Sequence, residues 1–524
     1  MATSSGERLQ HARIFGSFGT PVRSDDLAAA AGRQRHGGTP GTGLLRGDRW
    51  ALGSNRLAAG DIAADFRPYR LPSVPGVVAV LDGEIYNHRE LRRRLRDRGY
   101  AVPEAGSGAL LPALYATYGP DFAAHLDGMF SVAVVDTRGA GRLVLATDGQ
   151  GAKTLYHHRA SDGAVHFASE LPGLLAFSRV PTEPRELVLD ECLSVGSPPG
   201  GRTPLQGVGA LSHGAVAVAT GTGGWCVRKE TEGKEGATAL RQEVRRVLPA
   251  DGAVCVIDSQ EGATGHLATT AAGYLAELDR PPLHTFQLVR RTGRRSPASP
   301  GRGADRRARI VRHQVVIDAG ALADLLPRTI WHLGGPDADP AAVETYLLLR
   351  AARRADFDVA LAERGTPQEP RVGVPTRLRE SLYTPEYRHY VRAHAASDLP
   401  PADDDLRRLD HLGAAWGVQV RVPRRGSDEE RLSPAPPAPV PLLTRDSPLT
   451  ALAHDVLAPG ALTQDGRLDR RAVAALVTTQ HRTPTPEGTR AVLALLSHEL
   501  WLQELRALRP MAPPNALPGA GLVA

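Results

Sequence analysis

The stretch VVAVLDGEIYNH, Val77 to His88, constrains the fold more than any other part of the chain. Val77 to Val80 is a run of small apolar residues, the signature of a buried strand. Leu81 to Asn87 then reads as a turn carrying two carboxylates around Gly83. Arg89 to Gly99 follows as a short charged helix with Leu91 and Leu95 on its inner face. A strand, an acidic turn and a helix in so few residues require a layered domain in which the strand is covered and the turn is held at an edge.

With 524 residues the chain is too long for one core, so two domains are expected. A hydrophobic content of 42% supports two buried cores. No run of about 18 apolar residues suggests a membrane span. Met1 to Gln10 is polar and lacks the apolar segment of a secretory signal. Cys192, Cys226 and Cys255 are too few and too scattered for a disulfide framework or a zinc site. A cytosolic (cytoplasmic), soluble protein is the expectation. Of the 63 Lys and Arg residues, only Lys153, Lys229 and Lys234 are lysines. Arginine cannot readily give up its proton, so chemistry needing a lysine base is excluded beyond residue 234.

The first half, residues 1–225, alternates β-like runs (Val77–Leu81, Phe130–Asp136, Leu143–Asp148, Ala164–Ala168, Ala215–Ala219) with helical stretches at Arg89–Arg98 and Leu110–Tyr118. That mixture predicts an α+β layered domain. Thr220 to Gly236 reads as a linker. Residues 237–510 open with helix, strand, helix and strand (Ala237–Val247, Ala253–Ile257, Leu267–Glu277, Leu283–Leu288), a pattern that predicts a parallel sheet. Helices dominate after Pro340. Residues 290–312 and 424–441 read as flexible loops. They lack interleaved aromatics and any nucleic-acid motif, so a polyanion partner is not expected.

Several motifs together resemble the class B, glutamine-hydrolysing asparagine synthetases. Ile14-Phe15-Gly16-Ser17-Phe18-Gly19 resembles that family's first strand, and Ala51 to Leu57 its Ala-Leu-Gly-His-Arg-Arg-Leu. Asp82-Gly83-Glu84-Ile85-Tyr86-Asn87 stands for Asn-Gly-Glu-Ile-Tyr-Asn. Leu126 to Phe130, Asp148 to Tyr156 and Phe167 to Glu170 follow in the family's order. In the second half, Trp331-His332-Leu333, Ala338-Asp339-Pro340, Thr345 to Leu348, Arg421-Val422-Pro423 and the helix around Glu499 and Trp501 are similar to family segments. β-Lactam synthetases and lasso-peptide cyclases are related. The resemblance implies a glutaminase-like domain of Ntn type, a four-layer sandwich, followed by an α/β domain of ATP-pyrophosphatase type.

The positions that the resemblance implies are functional have changed. Ala12 stands where the family has its nucleophilic cysteine, and eleven residues precede it. Arg56 matches the arginine that holds the glutamine carboxylate, and Gly83 and Glu84 are kept. Asp82 replaces the asparagine whose N–H stabilises the oxyanion; one lost donor of this kind costs about 10²–10³-fold in rate. Gly108 stands where an aspartate holds the substrate amino group. The ATP motif becomes Ser259-Gln260-Glu261-Gly262-Ala263-Thr264, keeping two hydroxyls but losing the glycine pair and the aspartate. Glu363 is the carboxylate left near the family's metal-binding segment, and Arg408 replaces a lysine ahead of Asp410.

Two expectations follow. One is a pseudoenzyme kept as a scaffold or regulatory partner, beside an intact homologue or biosynthetic enzymes. The other is a repurposed amide- or ring-forming enzyme of natural-product metabolism, acting in a cavity lined by Ser259, Thr264, Arg408, Asp410 and Arg421. ATP and Mg²⁺ are the cofactors the resemblance implies, and the altered motifs leave neither assigned. A homodimer is considered; membrane and nucleic-acid partners are not expected.

Overall fold

The computed structural model describes residues 11–36, 41–57, 68–104, 106–199, 201–229, 239–249, 252–258, 265–290, 303–305, 309–363, 373–396, 405–424, 443, 447–458, 460 and 465–508. In chain order the first strands are β1 (His11–Phe18), β2 (Thr42–Gly47), β3 (Trp50–Leu57), β4 (Tyr69–Arg70), β5 (Val77–Ile85) and β6 (Gly128–Asp136). Next come β7 (Arg142–Thr147), β8 (Tyr156–Arg159), β9 (Val165–Ala168), β10 (Val208–Ala210), β11 (Ala215–Thr220) and β12 (Trp225–Lys229). They form two antiparallel sheets, ordered β10-β8-β9-β1-β3-β2 and β12-β11-β7-β6-β5-β4.

Period-two alternation sorts the side chains of these strands between faces. Ile14, Phe18 and Leu52 of the first sheet pack with Val78, Val80, Ala133 and Leu145 of the second, forming the core between the sheets. Ala79, Leu81 and Ile85 point the other way, onto Leu91 and Leu95 of the helix His88–Asp97 and Leu110 to Leu114. The outer face of the first sheet, with Phe15 and Ala51, is covered by helix Ser24–Arg33 and by residues of the second half.

The second half holds β13 (Val254–Asp258), β14 (Leu283–Arg290), β15 (Gly303–Asp305), β16 (Ile310–Ile317), β17 (Val359–Leu361) and β18 (Gln419–Arg421). The sheet order is β15-β16-β14-β13-β17-β18, parallel throughout except for β15. Helix Ala341–Arg354 packs on it, Ala319–Leu333 packs on that helix, and Pro486–Leu508 packs on Ala319–Leu333. One apolar cluster runs from Phe15, Leu171 and Leu193 in the first half to Phe286, Leu348 and Trp501 in the second. No helix among the described residues is long and apolar enough to cross a membrane.

Three expectations are corrected. The acidic segment Asp82–Ile85 is strand rather than turn: β5 pairs with β6 as far as Ile85 opposite Gly128. The linker region contains β12, which pairs with β11 through Trp225 to Lys229 because the Gly-rich turn before it reverses the chain. Within 290–312, β14 reaches Arg290, β15 spans Gly303–Asp305, and β16 begins at Ile310, pairing with β14 over its whole length and with β15 on its other side, so backbone pairing on both sides holds it in the sheet. Residues 291–302 and 306–308, and residues 425–441 of the second expected loop, lie outside the described residues.

Gly83 has φ +105°, and a Cβ there would meet the Met129 carbonyl oxygen at 2.1 Å. Glycine is the residue that tolerates both this backbone region and this approach. Gly83→Ala is expected to lower stability by about 1–3 kcal/mol or more, read as the shift in urea midpoint. An unchanged midpoint would contradict this account of β5.

Candidate functional site

The residues singled out in the first half converge on the end of β1. Ala12 is the second residue of that strand and lies opposite Arg56 of β3 in register. The Arg56 side chain lies outside the described residues. Next to Ala12, Arg13 is fully buried. Its Nε donates to Glu170 Oε1 at 2.8 Å, and its Nη1 donates to Asp82 Oδ2 at 3.0 Å and Asp410 Oδ2 at 2.7 Å. Its Nη2 donates to the Asp410 carbonyl at 3.1 Å. Lys153 bridges the same two aspartates, with Nζ 3.2 Å from Asp82 and a hydrogen bond to Asp410. The second oxygen of Glu170 pairs with His36 Nε2 at 2.7 Å.

Local folding explains how these groups arrive. Asp148 accepts from the backbone N–H of Gln150, Ala152 and Lys153 at 2.9–3.0 Å, shaping the loop that presents Lys153. Glu170 stands just before helix Leu171–Leu174, its own N–H donated to Gln34 Oε1 at 3.0 Å. Asp410 lies on helix Asp405–Trp416. Arg408, two residues earlier on that helix, points elsewhere, since two helical positions differ by about 200° around the axis. Its Nε and Nη2 grip Asp337 at 2.7 Å each, and its Nη1 reaches Asp339 at 2.9 Å. Arg421 Nε bonds Gln419 Oε1 at 2.9 Å, and its Nη2 pairs with Glu84 across the halves.

Three of the residues expected to line a cavity, Arg408, Asp410 and Arg421, are thus each bonded to a different set of opposite charges. Glu363 is half-buried just past β17. Ser259, Gln260, Glu261, Ala263 and Thr264 lie outside the described residues. At Gly108 the neighbourhood is closed: a Cβ would fall 2.1 Å from Tyr69 Cε2, so the tyrosine ring stands where a side chain would begin.

Arg13, Glu170 and His36 were not identified as site residues from sequence. An arginine inside the apolar run Ala12 to Phe15 was the available signal. Its main partner is 397 positions away, beyond any local pattern.

Electrostatics follow from this packing. Burial alone would raise the Glu170 carboxyl, but His36 and Arg13 more than reverse it, from the ordinary 4.5 to about 2. Burial likewise opposes the Asp410 carboxylate, while Arg13 and Lys153 hold it well below the usual range. Burial lowers His332 and His411, from 6.5 to about 4 in each case, so both rings are neutral at pH 7. His332 stacks edge-on to His36 with ring centroids 4.9 Å apart.

Both kinds of shift carry the same sign. A histidine whose folded pKa is depressed and a carboxylate whose folded pKa is depressed each stabilise at high pH and lose that contribution as pH falls. The histidine part is lost between about 6.5 and 4, and the Glu170 part between about 4.5 and 2. The urea midpoint is expected to fall steadily below about pH 6.5, with Glu170→Gln flattening the part below 4.5. A midpoint flat down to pH 3 would count against this cluster as a source of stability.

Comparison with known proteins gives two domain matches. The sequence profile of a glutamine amidotransferase domain matches residues 12–227, and that of asparagine synthase matches residues 267–366. An asparagine synthetase [glutamine-hydrolyzing] of Asparagus officinalis is 39% identical over 143 residues, 27% of this chain and 23% of the relative. Asparagine synthetase [glutamine-hydrolyzing] 1 of Arabidopsis thaliana is 38% identical over 143 residues, 27% and 24% of the two chains. The matched stretch thus spans about a quarter of those relatives' length. The solved glutamine phosphoribosylpyrophosphate amidotransferase of B. subtilis, complexed with ADP and GMP, aligns at 14% identity over 51% of this chain and 64% of that one. Its TM-score is 0.30, too low to argue from. With an amidotransferase domain followed by an asparagine synthase domain, the chain belongs to the asparagine synthetase family.

Proposed function

We propose that this chain is a pseudoenzyme of its family, a scaffold or regulatory partner without a working glutaminase or ATP site. The observation that carries the reading is the environment of Asp82. Where an oxyanion site needs a donor, this position offers a carboxylate held by Arg13 and Lys153, and both cations are also committed to Asp410. A carboxylate repels a developing oxyanion instead of stabilising it. The methyl group of Ala12 supplies no nucleophile.

Further support comes from two of the supposed binding residues. Tyr69 crowds the position of Gly108. Arg408 is saturated by Asp337 and Asp339, leaving its fork no face for phosphate. The Ntn-type sandwich and the ATP-pyrophosphatase-type fold belong to the same reading. Two face-to-face antiparallel sheets and a parallel sheet centred on β13 support them. The alternative of a repurposed amide- or ring-forming enzyme loses its footing because Arg408, Asp410 and Arg421 serve separate ion pairs. An intact homologue or a biosynthetic enzyme is the class of partner to test.

Incubation with glutamine, aspartate and Mg-ATP is expected to release neither ammonia nor pyrophosphate above a heat-killed control. Ala12→Cys alone is expected to leave ammonia release at background, since the oxyanion position is still Asp82 and the nitrogen of residue 12 is peptide-bonded. Turnover by the unmodified chain would overturn the reading.

A further inference from the structure

Five chain segments far apart in sequence meet at one buried ion cluster. Arg13 comes from β1, Asp82 from β5, Lys153 from the loop after β7 and Glu170 from the end of the β9 segment. Asp410 comes from a helix of the second half. Two cations face three carboxylates, with His36 against the free oxygen of Glu170. Arg13 binds both the side chain and the main-chain carbonyl of Asp410, so the fork fixes the orientation of that residue as well as its charge.

Other ion pairs between the halves have the opposite polarity. Glu84 meets Arg421, Asp127 meets Arg246 and Arg424, Asp190 meets Arg379, and Glu186 meets Arg467. In each of these the first half gives the acid and the second half the base. At Asp410 the roles reverse, and this is the most deeply enclosed of the contacts: side-chain exposure is 0% for Arg13, 2% for Lys153 and 5% for Asp410. Acids at four positions and a basic cluster at a fifth on one half, matched in reverse on the other, favour one docking register, since a slip would bring like charges together.

We propose that the Arg13–Lys153–Asp410 cluster is an intramolecular latch that makes the two halves a single cooperative unit and sets the stability of helix Asp405–Trp416 from β1. The proposal goes beyond the absence of catalysis and holds whatever the activity assays return. Removing Arg13 leaves buried carboxylates uncompensated in both halves at once, and removing Asp410 leaves buried cations uncompensated in the first, so either loss is felt across the interface.

The test uses the full chain. Calorimetry at pH 7.5 is expected to give one unfolding transition, and Arg13→Met and Asp410→Asn are each expected to split it in two. Amide exchange in residues 405–416 is expected to speed at least about tenfold in Arg13→Met, although the substitution lies in the other half. The double variant is expected to lose less than the sum of the single losses, the mark of a direct coupling. Should Arg13→Met fail to fold, Lys153→Met reads the same coupling with Arg13 in place. Two transitions in the unmodified chain, or unchanged exchange in residues 405–416 in the folded β1 or Lys153 variant, would overturn the latch.

Discussion

A guanidinium with no access to water, ringed by three carboxylates, sets the terms for the rest of this molecule. Burial opposes the charge of Arg13, and Asp410, Asp82 and Glu170 together more than restore it. Each of those acids is in turn enclosed, so none of the partners can be withdrawn cheaply. Removing one member of such a pair typically costs about 3–5 kcal/mol. The strand that carries Arg13 lies in the middle of its sheet, between β3 and β9. The partner helix packs against Ala319–Leu333 and Ala341–Arg354. The cluster thus ties the centre of one half to the helical layer of the other.

Asp82 is fixed by its backbone and its side chain at once. It sits in β5 opposite Ser131, with the glycine that follows pressed against the β6 backbone. The Asp82 side chain serves the interior of the protein, paired with Arg13 and Lys153, and Glu84, two residues on, pairs with Arg421 of the second half. Under the proposed reading, the frame stays recognisable while the groups it presents serve structural pairs.

Much of the frame was legible in the sequence, because apolar strands and amphipathic helices carry their own period. Val77–Val80, Leu143–Leu145 and Ala215–Ala219 lie in strands, and Leu91 and Leu95 face the core. The strand β16 was hidden because its apolar residues adjoin an Arg-, Gly- and Ser-rich run. The short β4 offered too few residues to show a period. In the site, local spacing misled. Arg408 and Asp410 look like one cluster in the sequence, yet the turn of the helix sends them to opposite sides. Arg13 was visible as a charge in an apolar strand, but nothing nearby in the sequence names Asp410 as its partner. Long-range ion pairing leaves no periodic trace.

The ring of Tyr69 against Gly108 has a consequence for the history open to such a chain. Any side chain introduced at residue 108 meets the tyrosine at 2.1 Å, well inside contact distance. A carboxylate could be accommodated there only after Tyr69 had shifted or been exchanged for something smaller. Under the proposed reading, exchange at 69 would remove a half-buried aromatic packed against the core before any binding group is gained at 108. Epistasis of this kind acts as a ratchet, making such a group harder to regain than to lose.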